Sequence, residues 1–160
     1  MQMSEVGEMD ANFVGVETAG VEEIRLGGIF LRFPIDGPSS GAPVTMFEMS
    51  VEPGARVPLP HHHEGFDEMG YGLSGLLRMT VSGKTFDLGA RDSMFIPRGA
   101  VHGFENPHAE TAKVLVVITP GVFGAPFFRE MTALLGDGGP PDPKALGAVM
   151  LKHGLVPVRG

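Results

Sequence analysis

The sequence predicts an all-β fold, a barrel or sandwich of short strands, followed by two short helices near the C-terminal end. The 24 glycines and 14 prolines in 160 residues supply turns for many short elements, and a hydrophobic fraction of 42% is enough for a core. Apolar and polar residues alternate over short segments, as in half-buried strands. Apolar residues at helical spacing appear only from about residue 127 onward.

The predicted strands follow one another without intervening helices. In the clearest case Leu77, Met79 and Val81 alternate with neighbours on the opposite face, and Ser82-Gly83 then predicts a hairpin turn. Close spacing of this kind is typical of barrels and sandwiches. The predicted segments are 23–26, 29–33, 45–51, 69–74, 76–81, 85–88, 93–96, 101–105 and 113–118.

Two helices are predicted within residues 126–154. The first carries apolar residues at helical spacing and ends at Gly136. The second begins with Asp142 as the cap and Pro143 in the first turn, and it ends at Gly154. We expect both helices to form a lid or packing layer over the strands. Their apolar faces comprise Phe127, Phe128, Met131, Leu134 and Leu135 in the first, and Leu146, Val149 and Met150 in the second.

The length predicts one domain over residues 1–160, with a core in 43–118 and a weakly patterned N-terminal arm in 1–20. The net charge of -7 and the lack of a basic cluster disfavour nucleic acid and anionic membranes as partners. No apolar run is long enough to span a membrane, and acidic residues precede the first basic one, unlike in a signal peptide. The chain has no cysteine, so thiolate metal sites are excluded. We therefore expect a cytoplasmic protein.

A histidine cluster is the main candidate for chemistry. His61 and His63 are two residues apart, so in an extended chain both side chains point to one face. Glu68 follows a short turn, and His102 follows the turn at 97–99, so both can reach the same point. Three imidazoles and one carboxylate suit one divalent ion of Fe, Mn, Ni, Cu or Zn. The alternative is that the histidine triplet is only a polar turn.

These residues fall in two motifs that resemble those of the cupin superfamily, and in particular its single-domain, quercetinase-like members. Arg91 departs from the pattern, since the family has a glycine there. The resemblance implies a small antiparallel jelly-roll barrel, a homodimer, and His61, His63, Glu68 and His102 as ligands of one metal ion. The first motif is matched by Gly54, His61, His63, Glu68 and Gly75, and the second by Pro97, Gly99, His102 and Asn106.

Strand parity suggests which residues surround the metal. Gly70 and Gly72 share the face of Glu68, and a glycine within a strand often marks close approach by a ligand or another backbone. One hypothesis is a cavity widened beside the metal for a flat or bulky substrate. The alternative is that Phe or Met side chains from other strands fill the space. Phe104 shares the face of His102 and is the best candidate for a pocket wall.

Three neighbouring polar residues are assigned other roles. His62 is expected to point away from the cluster. Glu64 is an alternative carboxylate, although the family spacing favours Glu68. Asn106 is expected to tie its strand end to the backbone through its side chain.

Two classes of function remain open at this stage. The first is a metal-dependent enzyme, of dioxygenase type on an aromatic or enol-type small molecule, in which Glu68 also serves as a base by resemblance to flavonol-cleaving relatives. The same site suits metal-assisted isomerisation or hydrolysis. The second is a non-catalytic module that binds or senses a small molecule, because fold alone does not determine function.

Overall fold

The computed structural model describes residues 20–57, 59–136 and 140–159, so nearly all of the predicted arm at 1–20 lies outside the described residues. The described residues are mostly β, and every strand pair is antiparallel. The predicted all-β class and the two C-terminal helices are confirmed. The strands are β1 (Glu22–Leu26), β2 (Ile29–Ile35), β3 (Thr45–Val51), β4 (His61–His63), β5 (Asp67–Ser74), β6 (Leu77–Val81), β7 (Lys84–Leu88), β8 (Ser93–Ile96), β9 (His102–Glu105), β10 (Ala112–Thr119) and β11 (Leu155–Pro157). The helices are α1 (Gly37–Ser40), α2 (Ala125–Leu135) and α3 (Pro143–Lys152).

The strands form two sheets that share one hydrophobic core. The first sheet has the order β1-β2-β3-β10-β5-β8, and the second has the order β11-β4-β9-β6-β7. Alternate residues such as Leu31, Phe47 and Val116 of the first sheet join Leu77 and Met79 of the second in the buried cluster. No pairing joins the two sheets within the described residues, so the closed barrel that the sequence suggested is not observed.

Two strands and one helical turn were not predicted. β4 contains only three histidines, so it has no apolar pattern from which a strand could be inferred. β11 is also three residues long and includes Pro157, which is tolerated because β11 lies at the edge of its sheet. α1 is a single four-residue turn. All three elements are too short to produce a recognisable pattern in the sequence.

Polar contacts fix the start of α2, cap α3 and join the two helices to each other. The Asp36 carboxylate accepts a hydrogen bond of 2.9 Å from the first backbone N–H of α2, that of Ala125. Asp142 caps α3 as predicted, since its carboxylate accepts the backbone N–H groups of Lys144 and Ala145. Glu130 of α2 then contacts Lys152 of α3 and His153 just after it. No helix within the described ranges has both the length and the apolar character needed to cross a membrane.

Arg91 adopts the backbone conformation that a glycine would occupy with less strain. Its φ is 72°, in the left-handed region where a Cβ atom costs roughly 1–2 kcal/mol. The turn is held by backbone hydrogen bonds of 2.9 Å, from the Arg91 N–H to the Gly72 carbonyl and from the Gly72 N–H to the Asp92 carbonyl. The departure from the family motif therefore leaves the turn before β8 intact.

Asn106 has the structural role that the sequence predicted. Its side chain is buried, and its amide nitrogen donates hydrogen bonds of 2.8 Å to the carbonyls of Val51 and Glu110. Its side-chain oxygen accepts a 2.9 Å hydrogen bond from the His108 N–H. Asn106 thus joins the end of β3 to the turn that leads from β9 to β10.

Replacing Asn106 by alanine is expected to lower the free energy of unfolding by about 3 kcal/mol, because three hydrogen bonds are lost at roughly 1 kcal/mol each. Urea denaturation followed by circular dichroism measures the loss. Asn106→Asp keeps the acceptor and removes both donors, so it is also expected to be destabilising. A loss below about 0.5 kcal/mol for the alanine variant, the range of ordinary surface changes, would contradict this role.

Candidate metal centre

Strand β4 places two of its three histidines in the interior. His61 and His63 are 7% and 2% exposed, whereas His62 between them is half-buried and lies outside the cluster. The alternation follows from the two-residue period of a strand. β4 lies between β9 and β11, and His61 is paired directly with His102 of β9. The register between the two strands therefore brings the third histidine to the first two, as predicted.

The three histidines form a compact buried group. One ring nitrogen from each of His61, His63 and His102 lies within 4.8 Å of the others. The ring centroids are 5.2 Å apart for His61 and His63, 4.7 Å for His61 and His102, and 4.6 Å for His63 and His102. These three buried histidines could hold a metal ion.

Backbone carbonyls orient two of the rings. Nδ1 of His61 donates to the Leu59 carbonyl at 3.0 Å, and Nδ1 of His102 donates to the Ala100 carbonyl at 2.9 Å. Because a carbonyl only accepts, each Nδ1 carries the hydrogen, and Nε2 of the neutral ring has a free lone pair. Metal-binding histidines in proteins usually have this arrangement.

Glu68 is the carboxylate beside the cluster. Its Oε2 atom is 3.5 Å from Nε2 of His102 and 3.8 Å from Nε2 of His63, and its side chain is 16% exposed. It reaches this position because it lies near the start of β5, opposite Ile96 of β8. Glu64, the alternative carboxylate, is exposed. The donor set next to the histidines therefore includes Glu68 and not Glu64.

The electrostatics of the cluster favour metal-binding protonation states for three of the four residues. Burial lowers the pKa of His61, and the neighbouring His102 adds to this effect. Burial likewise lowers the pKa of His63 to about 3, so both rings are neutral at pH 7. Burial acts to raise the pKa of Glu68, but the adjacent His102 outweighs it and holds that pKa below the ordinary value.

The pKa of the fourth residue, His102, is shifted in the opposite direction from those of His61 and His63. Burial acts to lower its pKa, but contact with the Glu68 carboxylate outweighs this effect and raises it. Nε2 of His102 and Oε2 of Glu68 are 3.5 Å apart, and a divalent cation bound between them would replace this contact. Three imidazoles and one carboxylate fit a divalent transition metal, and they do not select among Fe, Mn, Ni, Cu and Zn.

A cavity of about 80 Å³ lies next to the cluster. Apart from the three histidines and Glu68, every residue that lines it is apolar. Helix α2, helix α3 and the segment before α2 cover one side of it, as the lid hypothesis predicted. The apolar lining residues are Leu26, Ile29, Phe47, Met49, Val57, Phe104, Val116, Ile118, Phe123, Phe127, Phe128, Met131, Met150 and Leu155.

Three residues were predicted to surround the metal, and one of the three lines the cavity. Phe104 lines the cavity, whereas Gly70 and Gly72 do not. A methyl group at Gly70 would overlap the side chain of Met94, and one at Gly72 would overlap the carbonyl of Gly89. The idea that these two glycines widen a cavity beside the metal is therefore corrected: a Met side chain and a neighbouring backbone take up the space.

Several cavity residues had no signal in the sequence that tied them to the site. Phe123 and Val57 lie in connecting segments without periodicity. Phe127 and Phe128 were recognised as part of an apolar helix face, but the spacing could not show that they face the histidines. Phe66 is a core residue stacked on His63.

Comparison with known protein families identifies a domain that contains the cluster. The family model of the cupin domain matches residues 47–118, which include all three histidines and Glu68. Among curated proteins, no sequence is significantly similar to this chain.

Solved structures share the fold. The polyketide cyclase RemF from Streptomyces resistomycificus is 28% identical, with a TM-score of 0.57 over 66% of this chain and 78% of that one. A predicted oxalate decarboxylase from Thermotoga maritima is 24% identical, with a TM-score of 0.58 over 66% of this chain and 98% of that one. A cupin-2 domain protein from Rhodospirillum rubrum is 18% identical, with a TM-score of 0.56 over 66% and 73%. The paired histidine motifs, the match to the family model and this fold identify residues 47–118 as a cupin domain.

Proposed function

We propose that this protein is a metal-dependent enzyme of dioxygenase type that acts on an uncharged aromatic or enol-type small molecule. One observation carries the proposal: among the described residues, the three-histidine cluster and Glu68 are the only polar side chains in a cavity whose other walls are apolar. Enzyme sites commonly combine an apolar pocket with a few convergent polar groups. We assign His61, His63, Glu68 and His102 as the metal ligands.

The cavity lining favours an uncharged substrate. Carboxylate and phosphate groups are normally recognised by arginine or lysine, and neither residue lines the cavity in the described part of the chain. Burying an unpaired anion among phenylalanine side chains would be costly. A flat ring, in contrast, would find aromatic partners in Phe104, Phe123 and Phe127.

The described conformation is a closed one for such a substrate. The cavity measures about 80 Å³, whereas an apolar cavity known to admit benzene measures about 150 Å³. Phe127, Phe128 and Met131 of α2 and Met150 of α3 form much of its wall. We infer that α2 and α3 shift outward when substrate enters and exclude water when they return.

Each part of the site has a distinct task in this proposal. A bound divalent metal would polarise a substrate oxygen and support reaction with dioxygen. The Leu59 and Ala100 carbonyls keep Nε2 of His61 and His102 directed at the cluster. The Glu68 carboxylate, within 4 Å of two of these rings, would detach from the metal and accept a proton from a substrate hydroxyl or enol.

A second candidate, cyclisation or isomerisation without oxygen, is supported by the likeness to a polyketide cyclase. It would use the same ligands and the same apolar cavity, and the metal would only polarise the substrate. The two candidates differ in whether oxygen is consumed and in whether a redox-inert metal is active.

The experiment that separates the candidates begins with metal analysis of the purified protein. The protein is then loaded separately with Fe(II), Mn(II), Ni(II), Cu(II) and Zn(II), and oxygen uptake is measured with flavonols, catechols and β-diketones. Oxalate serves as a small anionic control, for which we expect no turnover. A dioxygenase is expected to consume oxygen with a redox-active metal and not with Zn(II), which has no redox chemistry.

Two other results would change the assignment. Product formation by the Zn(II) protein without oxygen uptake would favour cyclisation or isomerisation. Tight binding of a panel member with no turnover for any metal would favour a binding or sensing module and would contradict the enzyme.

We also propose that two copies of the chain associate through the outer face of the first sheet. Five apolar residues lie side by side across five strands of this face, and we call them the outer apolar row: Ile35, Met46, Val117, Met69 and Phe95. Phe95 is 59% exposed, and β8, which carries it, is an edge strand that pairs only with β5 within the described sheet. Ile35 is also exposed, and the three residues between them are half-buried. A continuous apolar row of this kind marks an interaction surface, and a two-fold axis lets it contact itself.

Replacing Phe95 by aspartate is expected to convert the dimer to a monomer, because two carboxylates would enter the apolar contact. Sedimentation velocity measures the change. Phe86→Asp is the matched control, since Phe86 is an exposed phenylalanine of β7 in the other sheet and should leave the dimer intact. A monomeric parent protein, or equal behaviour of the two variants, would contradict the proposed interface.

A further inference from the structure

The three clustered histidines are not held in the same way. His61 and His102 are each oriented by a backbone carbonyl two residues earlier in the chain. Nδ1 of His63 is buried, and within the described residues it has no hydrogen-bond partner. No hydrogen bond at Nδ1 therefore sets the rotation of the His63 ring, and the direction of Nε2 must be fixed by packing contacts.

The contact in question is an aromatic stack. The Phe66 ring lies on the His63 ring with centroids 4.2 Å apart and planes 23° apart. Phe66 is 1% exposed, so no water competes for this face. Phe123 is nearly parallel to both rings, at 17° and 5.0 Å from Phe66 and at 22° and 6.4 Å from His63. Three nearly parallel rings thus run from the histidine cluster to the segment before α2.

We propose that Phe66 is the positioning residue of His63, and that stacking performs the task that carbonyl hydrogen bonds perform for the other two histidines. The stack restricts rotation of the His63 ring, so Nε2 stays directed toward the other two rings. Phe66 does not line the cavity, so it acts only through His63. The proposal rests on the metal ligands assigned above.

Cobalt(II) binding to Phe66→Leu tests the proposal. Leucine keeps the site apolar and buried but removes the flat face, and loss of a stacking contact is expected to weaken Co(II) binding about two- to tenfold. Calorimetric titration measures the affinity, and the visible Co(II) absorption measures the ligand geometry, which we expect to change. Phe66→Tyr keeps the ring plane and is expected to retain the parent affinity and spectrum.

Phe33→Leu is the matched control. Phe33 is buried in the neighbouring aromatic cluster and contacts Phe47 and Phe128, but it is not among the rings in contact with a histidine. It should lose thermal stability much as Phe66→Leu does while Co(II) affinity and spectrum stay unchanged. This comparison separates positioning of His63 from a general loss of packing.

The outcomes distinguish this inference from the proposed metal centre. A parent protein that binds no Co(II) would overturn both. Normal binding by the parent, with Phe66→Leu identical to it in affinity and spectrum, would overturn the positioning role alone. An equal loss of affinity in Phe33→Leu and Phe66→Leu would also overturn it.

Discussion

Replacing His102 by alanine is expected to remove essentially all bound metal. The substitution deletes one of three clustered imidazoles and removes the ring whose Nε2 lies 3.5 Å from the Glu68 carboxylate. Even the outer partners of metal ligands typically contribute about 10–100-fold in affinity, so loss of a ligand should cost at least about 100-fold. Loading with a divalent metal, removal of excess metal and elemental analysis per chain measure the effect. His61→Ala is expected to behave in the same way.

His62→Ala is the matched control for this loss. It removes an imidazole from the same triplet, but from the side of β4 that faces away from the cluster. It should bind as much metal as the parent, and circular dichroism should show all three variants folded. Full metal occupancy in both His61→Ala and His102→Ala would show that the ligand assignment is wrong.

Replacing Glu68 by glutamine is expected to reduce turnover far more than metal content. Glutamine keeps the size of the side chain and leaves three histidines in place, so metal should still bind, though less tightly. It cannot accept a proton, and loss of a general base typically costs about 10²–10⁴ in rate. Metal analysis and steady-state turnover on the same preparation separate the two effects, once the substrate panel has given an active compound.

Glu64→Gln is the matched control for Glu68. It removes a carboxylate four residues earlier, from an exposed position outside the cluster. Its turnover and metal content should equal those of the parent. A Glu68→Gln variant that turns over at the parent rate would exclude the base role, and a loss of turnover in Glu64→Gln would assign that role to the other carboxylate.

The histidine cluster could be predicted because the orientation and spacing of its residues follow from short stretches of sequence. The two-residue period of a strand separates His61 and His63 from His62, and the spacing of the two motifs adds His102. The caps and apolar faces of α2 and α3 are local signals of the same kind. The three-residue pairing of β4 with β11 was not predictable, because neither strand is long enough to carry a pattern.

For the two glycines of β5, the alternation of residues along a strand predicts which face they lie on but not what occupies the space next to them. Parity correctly places Gly70 and Gly72 on the buried face with Glu68. What fills the space above them depends on the partner strand: β8 pairs Met94 with Gly70, and the turn at 89–92 lies against Gly72. The register between strands that are far apart in the sequence cannot be inferred from a short stretch of residues. A widened cavity and a space filled by other side chains were therefore equally consistent with the sequence.

The position of β11 has a consequence for how the protein matures during synthesis. The ligand strand β4 gains its second neighbour only when residues 155–157 pair with residues 61–63. At ordinary translation speeds the intervening chain takes roughly 5–20 s to make. Once residues 102–105 have been made, and until β11 pairs, His61 and His63 belong to an edge strand whose one short pairing is to β9. The proposed metal site should therefore be completed late, after residues 155–157 have emerged from the ribosome.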